Sequence, residues 1–338
     1  MRERALDRIR QTLVANDRPS AIPLQYAAFR VGKRCLGAYV SRGRRIWNHL
    51  PASLQRFSGH LYGRHLNALV RLQAERQQYF ATFFLRNRPE LELMRRLVDQ
   101  SAPGSTINLS VLACSKGAEV YSVAWILRTA RPDLNFRIQA VDISQEIVDF
   151  AKRGTYSLTN GDAGATANNE DVHRNTQRDQ NAWIFERVTA DEMESMFEIQ
   201  GDRAEVKSWI KQGISWLRGD AADPELPGIL GPQDIVLAKN FLCHMKPGPA
   251  ERCLRNIART VKPGGYLFVS GIDLDVRTRV ARDLRWTPVL ELIREIHEGD
   301  VSLRRGWPLE YYGLEPFCDT RADWRIRYAS AFQIAEAQ

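Results

Sequence analysis

The chain has no Cys-x-x-Cys pair among its five cysteines, Cys35, Cys114, Cys243, Cys253 and Cys318. An odd, scattered set of thiols excludes a disulfide framework and a structural zinc site, so no metal is expected. It argues for a reducing, cytoplasmic setting. No apolar run approaches the roughly 20 residues needed to cross a bilayer. The opening residues, Met1 to Asp7, carry acids and lack an apolar centre, which argues against a signal peptide. What remains is an ordinary globular composition, 44% apolar and 26% charged, over 338 residues. That length holds two domains and buries a sizeable core.

Acidic residues are scarce only at one end. Residues 1–80 hold fifteen Arg or Lys and four Asp or Glu, an excess of +11 in a chain whose net charge is +8. The remainder is mildly acidic. A basic leading unit points to an acidic partner, nucleic acid or an anionic surface, or else to a solvated helical face that uses arginine. Its pattern is helical: residues 1–17 up to Arg18-Pro19, a basic stretch from Gln25 to Leu50, and Leu54 to Phe80 with leucines on one face. Residues 1–80 are therefore expected to form a basic helical unit ahead of residues 81–338.

The second unit is organised around Leu109 to Ala124. Val111-Leu-Ala113 has the character of a buried parallel strand, Cys114-Ser-Lys-Gly117 is a small-residue turn, and Val120, Val123, Ala124 and Leu127 form a helical stripe. Strand, small turn and helix open a nucleotide-binding α/β sheet. Backbone amides in such a turn favour an anionic group. A second strand, Phe136 to Asp142, ends in a carboxylate 25 residues after Gly117. An acid there can accept hydrogen bonds from both hydroxyls of a ribose. NAD and S-adenosylmethionine both fit. The dinucleotide fingerprint needs three glycines and this loop has only Gly117, which makes NAD the weaker choice. Further strands are expected at 213–218, 234–239 and 264–272, with helices near 119–130, 144–153 and 248–261. That alternation gives a mostly parallel sheet with right-handed crossovers. Trp324 to Gln333 alternates like a last, antiparallel strand. Residues 158–181 are polar and loop-like, inside an insert spanning about 158–205 that does not read as alternating strands.

Four ordered stretches carry a family resemblance: Thr82-Phe-Phe-Leu-Arg86, Ala113-Cys-Ser-Lys-Gly-Ala-Glu-Val-Tyr-Ser122, Val141-Asp142 followed by Ala151-Lys-Arg-Gly-Thr-Tyr156, and Asp234-Ile-Val-Leu-Ala-Lys-Asn240. Together they resemble the CheR-type chemotaxis methyltransferases over about residues 80–272. The resemblance implies a class I methyltransferase core, Rossmann-like, with S-adenosylmethionine as cofactor. Ala113, Cys114, Ser115, Gly117, Glu119, Asp142, Asp220, Ala221, Asn240 and Phe241 would then line the cofactor site. Glu119 would meet the methionine ammonium; Asp220 stands where the family typically has Asn-Leu, and would accept from the adenine amino group as in many class I enzymes, or else cap a short turn before Pro224. The resemblance also puts a small β subdomain in the region of the insert.

The same resemblance brings Arg86 to the methyl-transfer site, where an arginine fork suits a carboxylate. Alternatively, Arg86 pairs with Glu90 or Glu92. Two departures stand out. Lys239 replaces the family's arginine, and His244 stands where the family has tyrosine. A carboxylate acceptor needs alignment rather than a base, whereas a hydroxyl or amine needs one, and histidine titrates in the useful range. The expected activity is methylation of a protein carboxylate. The alternatives are a small-molecule O- or N-methyltransferase with His244 as base, and a cofactor-binding regulatory module without transfer. An aromatic and arginine cluster, Leu303 to Tyr312, would wall the acceptor pocket or cap the sheet edge.

Overall fold

The computed structural model describes residues 24–51, 59–73, 82–158, 182–299, 307–308 and 314–335. The helix expected over 1–17 and most of the 158–181 loop and of the 303–312 cluster lie outside these residues. The chain divides into two compact units, Met1–Ala74 and Glu75–Gln338.

In the first unit, helices α1 (Leu24–His49) and α2 (Gly59–Gln73) pack on one another. Val40, Trp47 and Leu66 form their buried seam. Gly43 lets the two helices close up there, since a Cβ on it would push the end of the Leu66 side chain aside. Arg42, Arg44 and Arg45 all face solvent.

The second unit is built on a seven-stranded sheet. Its strands are β1 (Thr106–Leu112), β2 (Asn135–Asp142), β6 (Ile214–Arg218), β7 (Gln233–Lys239), β8 (Val261–Ser270), β9 (Thr287–Pro288) and β10 (Ala331–Gln333), in spatial order β6-β2-β1-β7-β8-β10-β9. The first five pair in parallel, and β10 runs antiparallel to both β8 and β9. Both faces are buried, with period-two alternation deciding which core each residue joins. On β7, Ile235 and Leu237 join the core shared with α3 (Arg88–Val98) and α4 (Ala118–Ala130). Val236 and Ala238 join the opposite core, with α5 (Pro247–Ala258) and α6 (Leu274–Asp283).

The mostly parallel sheet with an antiparallel last strand is as expected, but that strand is shorter. Trp324–Tyr328 is helical and only Ala331–Gln333 is extended. The apolar alternation there misled because Tyr328 is buried from a helix rather than a strand.

The insert does not read as alternating strands, yet it carries a small β unit of the kind the resemblance implies. Strands β3 (Thr155–Ser157), β4 (Phe197–Gln200) and β5 (Arg203–Val206) form a separate antiparallel sheet in order β3-β5-β4. These strands are too short for alternation to show in sequence. Their buried residues, Tyr156, Phe197, Ala204 and Val206, gather with Phe84. Phe84 stacks on Phe185 at 5.4 Å and meets Tyr156 and Phe197 edge-on at 5.1 and 5.0 Å. Aromatic pairs of this kind add about 0.5–1.5 kcal/mol each beyond area burial. The insert therefore fixes the segment that carries Arg86.

Candidate functional site

The chain leaves β1 toward β2 on one side of the sheet and returns to β7 on the other, so the β1–β7 boundary is the switch point of the topology. Ligands of open α/β sheets bind outside the carboxyl ends of the strands at that place. A cavity of about 240 Å³ lies there.

Its first wall is the turn after β1. Cys114 N–H donates to the Val141 carbonyl at 2.9 Å, and Gly117 N–H closes the turn on the Cys114 carbonyl at 3.0 Å. Ala113 (φ 54°) and Ser115 (φ 50°) hold left-handed backbone, as does Gly117 (φ 85°), which caps α4. Non-glycine residues adopt this conformation only when their surroundings enforce it. The enforcing group is Asp142 at the tip of β2, itself 3% exposed. One of its carboxylate oxygens accepts from Ser115 N–H at 2.9 Å and the other from Ser144 N–H at 3.2 Å. Each oxygen keeps a further lone pair for a ligand hydroxyl. The Tyr156 hydroxyl donates to the Lys116 carbonyl at 2.7 Å and pins the turn from outside.

Gly117 is the one expected site residue that does not line the cavity. A Cβ on it would meet Ala151, Trp216 and Tyr121 at 3.1–3.2 Å, so its open side faces packed side chains. Its contribution is backbone geometry. Cys114 lines the cavity but is chemically quiet, since burial and then the charge of Asp142 push its thiol pKa up.

The opposite wall comes from the tip of β7. Asn240 (φ 59°) is left-handed, and a Cβ on neighbouring Gly271 would meet its Cα at 2.5 Å, so only glycine permits that approach. Phe241 follows, and His244 sits in the short 3₁₀ turn Leu242–His244. Lys239 is buried between two carboxylates, Glu90 of α3 and Glu119 of α4, each at 2.5 Å. Burial opposes the ammonium, but the two carboxylates outweigh it and push its pKa above the ordinary lysine value. Two acids around one lysine leave one negative charge in excess. Glu90 is sealed in, whereas the Glu119 side chain is 19% exposed and lines the cavity.

Arg86 reaches the cavity from the other side of the cluster. Leu85 (φ 53°) turns the chain there, and its N–H donates to the buried Ser122 hydroxyl at 2.9 Å. Arg187 donates to the Arg86 carbonyl, and the two guanidinium groups flank Phe83 at 4.8 and 5.5 Å. The expected alternative partners of Arg86 are used elsewhere: Glu90 by Lys239, Glu92 by Arg95 and Arg96.

Asp220 and Ala221 line the cavity beyond β6. One Asp220 oxygen accepts from Ala222 N–H at 2.8 Å, an Asx-type turn. The turn role and the cavity-lining position coexist in the one side chain. Thus Arg86, Ala113, Cys114, Ser115, Glu119, Asp142, Asp220, Ala221, Asn240, Phe241 and His244 are gathered around one cavity.

Sequence reasoning missed Asn87 and Glu90 as parts of the site. Asn87 caps α3, accepting from Glu90 N–H at 3.3 Å, and its amide donates to the Ile296 carbonyl at 2.9 Å. A signal was present in Asn87-Arg-Pro-Glu90, a cap, a helix-start proline and an acid. Nothing local says that the acid points inward. Among the described residues no His, Cys, Asp and Glu cluster could hold a metal, and no helix is long and apolar enough to cross a membrane.

Residues 81–163 match the family described as CheR methyltransferase, SAM binding domain, and residues 177–269 match a methyltransferase domain. A chemotaxis protein methyltransferase of Vibrio cholerae is 25% identical over 179 residues, 51% of this chain and 56% of that protein. A probable biofilm formation methyltransferase of Pseudomonas putida is 25% identical, covering 62% of this chain and 44% of that one. An uncharacterized 104.1 kDa protein of Rhodobacter capsulatus is 26% identical over 54% of this chain and 17% of its own length. The chain spans about half the length, or less, of the curated relatives it matches. The donor set of the cavity suits an adenosylated sulfonium: Asp142 for ribose hydroxyls, and the net negative Glu90–Lys239–Glu119 cluster for positive charge. Residues 81–163 and 177–269 therefore carry a class I methyltransferase core similar to that of the CheR-type enzymes, with S-adenosylmethionine as its cofactor.

Proposed function

We propose that the chain methylates a carboxylate on a protein acceptor. The observation that carries this reading is that one cavity unites Asp142, suited to the cofactor ribose, with Arg86, suited to an acceptor carboxylate. In this reading Asp142 accepts from the ribose hydroxyls, Asp220 accepts from the adenine amino group, and Glu119 receives the methionine ammonium. Arg86 holds the acceptor in line, since alignment is the main requirement of displacement at a methyl group. S-adenosylmethionine held by these residues would supply the methyl group, its sulfur keeping the carbon–sulfur bonding pair as the acceptor oxygen took the carbon. With a carboxylate acceptor no proton moves.

His244 in the same cavity supports a second reading, a small-molecule hydroxyl or amine acceptor with His244 taking the proton. Incubation with methyl-labelled cofactor and a lysate, followed by base, separates the readings. Label released as methanol supports the ester. Label stable on a small molecule supports the second reading, and cofactor binding with no transfer overturns both in favour of a regulatory module. The basic residues of 1–80, including Arg42, Arg44 and Arg45, support an acidic partner for that unit.

A further inference from the structure

A second, smaller chamber of about 50 Å³ borders the large cavity and shares Arg86, Asn87, Lys239 and Asn240 with it. Its far side is made by residues beyond both matched stretches, which end at residue 269. Two of them are polar, buried and incompletely paired. Ser330 is 8% exposed and Arg277 is 3% exposed. The Ser330 hydroxyl and the Arg277 Nε–H have no hydrogen-bond partner among the described residues. Unpaired buried donors are costly, so they call for a polar guest in the chamber, an ordered water or a ligand group.

The chemistry of that ligand follows from the lining. The two terminal nitrogens of Arg277 donate to the Val269 and Arg327 carbonyls at 2.8 and 2.7 Å, and no described carboxylate pairs with it. Neighbouring Arg327 has taken the nearby acids instead, Glu315 through two bonds of 2.6 and 2.9 Å and Asp275 at 2.9 Å. Arg277 is thus a buried cation facing a chamber, and burial, then the charge of Arg327, pushes its pKa down to about 9. Glu90, the acid in the lining, pairs with Lys239 at 2.5 Å, and its charge and that of Glu315 offset only part of the burial of Arg277. Leu274, Ile296 and Leu314 supply apolar sides. A monoanion with a short aliphatic stem fits this set, and the volume admits a carboxylate but no ring.

We propose that this chamber is a carboxylate seat for the methyl acceptor, holding a second acid group of the acceptor, distinct from the one that is methylated, against Arg277 and Ser330 while the reacting group lies in the large cavity. The seat rests on the methyltransferase reading above and adds to it a specificity element supplied by residues 270–330.

The test uses the full chain and two probes, ¹³C-acetate followed by NMR saturation transfer and S-adenosylhomocysteine followed by calorimetry. Saturable acetate binding is expected in the wild type, falling at least tenfold in Ser330→Val, whose added bulk fills the chamber, and in Arg277→Gln. S-adenosylhomocysteine affinity in Ser330→Val stays within about twofold, which reports an intact fold if Arg277→Gln fails to fold. Acetate binding undiminished in Ser330→Val overturns the seat. So does an absence of acetate binding in a wild type that still takes up S-adenosylhomocysteine. A wild type that binds neither overturns the cofactor reading as well.

Discussion

The two walls of the large cavity are built on different principles. The wall at β1 and β2 is almost all backbone: a turn with left-handed residues at Ala113, Ser115 and Gly117, held by the two oxygens of Asp142. Its parts lie within about 30 residues of one another. The wall at β7 is assembled by charge from afar, with Lys239 drawing in Glu90 and Glu119, which precede it by 149 and 120 residues. A backbone wall fixes shape and tolerates loss of one hydrogen bond. A buried ionic wall sets the sign of the field and tolerates almost nothing, because each charge is stable only through the others.

The sharpest way to break that contrast is to remove the lysine. Lys239→Met strands the sealed Glu90 carboxylate and is expected to cost about 3–5 kcal/mol in denaturant unfolding. Adding Glu90→Gln to that variant removes the stranded charge and should recover a large part of the loss. A double variant no more stable than the single would mean that Lys239 acts through packing, and the charge account of the β7 wall would fall.

The corresponding test of the other wall is Asp142→Ala. It removes two bonds to backbone amides as well as the ligand acceptors, so stability falls by about 1–3 kcal/mol. Affinity for S-adenosylhomocysteine falls at least tenfold, about 1.4 kcal/mol. Asp142→Asn should fall between the two, since the amide keeps one acceptor. Calorimetry checks both; unchanged affinity in Asp142→Ala removes the ribose assignment. His244→Phe then discriminates within the β7 wall. Cofactor affinity should stay near wild type. With a carboxylate acceptor turnover changes only a few-fold, whereas loss of a general base costs about 10²–10⁴.

The difference between the walls also explains what could be read from the sequence. The β1–β2 wall was legible because its motif, Val111 to Ser122 with Asp142, is local, and strand, turn and acid fall in a fixed order. The strands at 107–113, 136–142, 213–218, 234–239 and 264–272 emerged within a few residues of their observed bounds for the same reason. Glu90 was visible only as a possible partner for Arg86. Its burial against Lys239 depends on the packing of α3 beside the sheet, a long-range fact that no spacing encodes. The β3-β5-β4 sheet escaped because three- and four-residue strands carry too few side chains to show a period. Tyr328 looked like a strand residue because one turn of helix and one strand can bury the same apolar side chain.

Helix α3 offers the mildest probe, because two residues before Glu90 it carries a second ionic link of the opposite kind. Arg88 forks onto Glu192, at 2.5 and 2.7 Å, with the arginine side chain 48% exposed. Glu192 also closes a capping box with Thr189, accepting from its N–H at 2.9 Å. The Arg88 hydrogen bonds, aided by those to Thr189 and opposed by partial burial, hold the Glu192 carboxyl down to about 2 from an ordinary 4.5. A carboxyl whose folded pKa is depressed stabilises fully above its unfolded value and loses that contribution as pH falls toward the folded one. Glu192→Gln keeps an acceptor for the capping box but loses the charge that pairs with Arg88, and should therefore cost up to about 1 kcal/mol near neutrality. The gap between variant and wild type should hold above pH 5 and shrink between about 4.5 and 2. Salt should narrow it, whereas the Lys239→Met loss should be nearly salt-independent, since sealed charges are poorly screened. Urea unfolding of both variants across pH and salt compares the two links on one helix, and an equal salt response would erase the distinction between buried and exposed charge there.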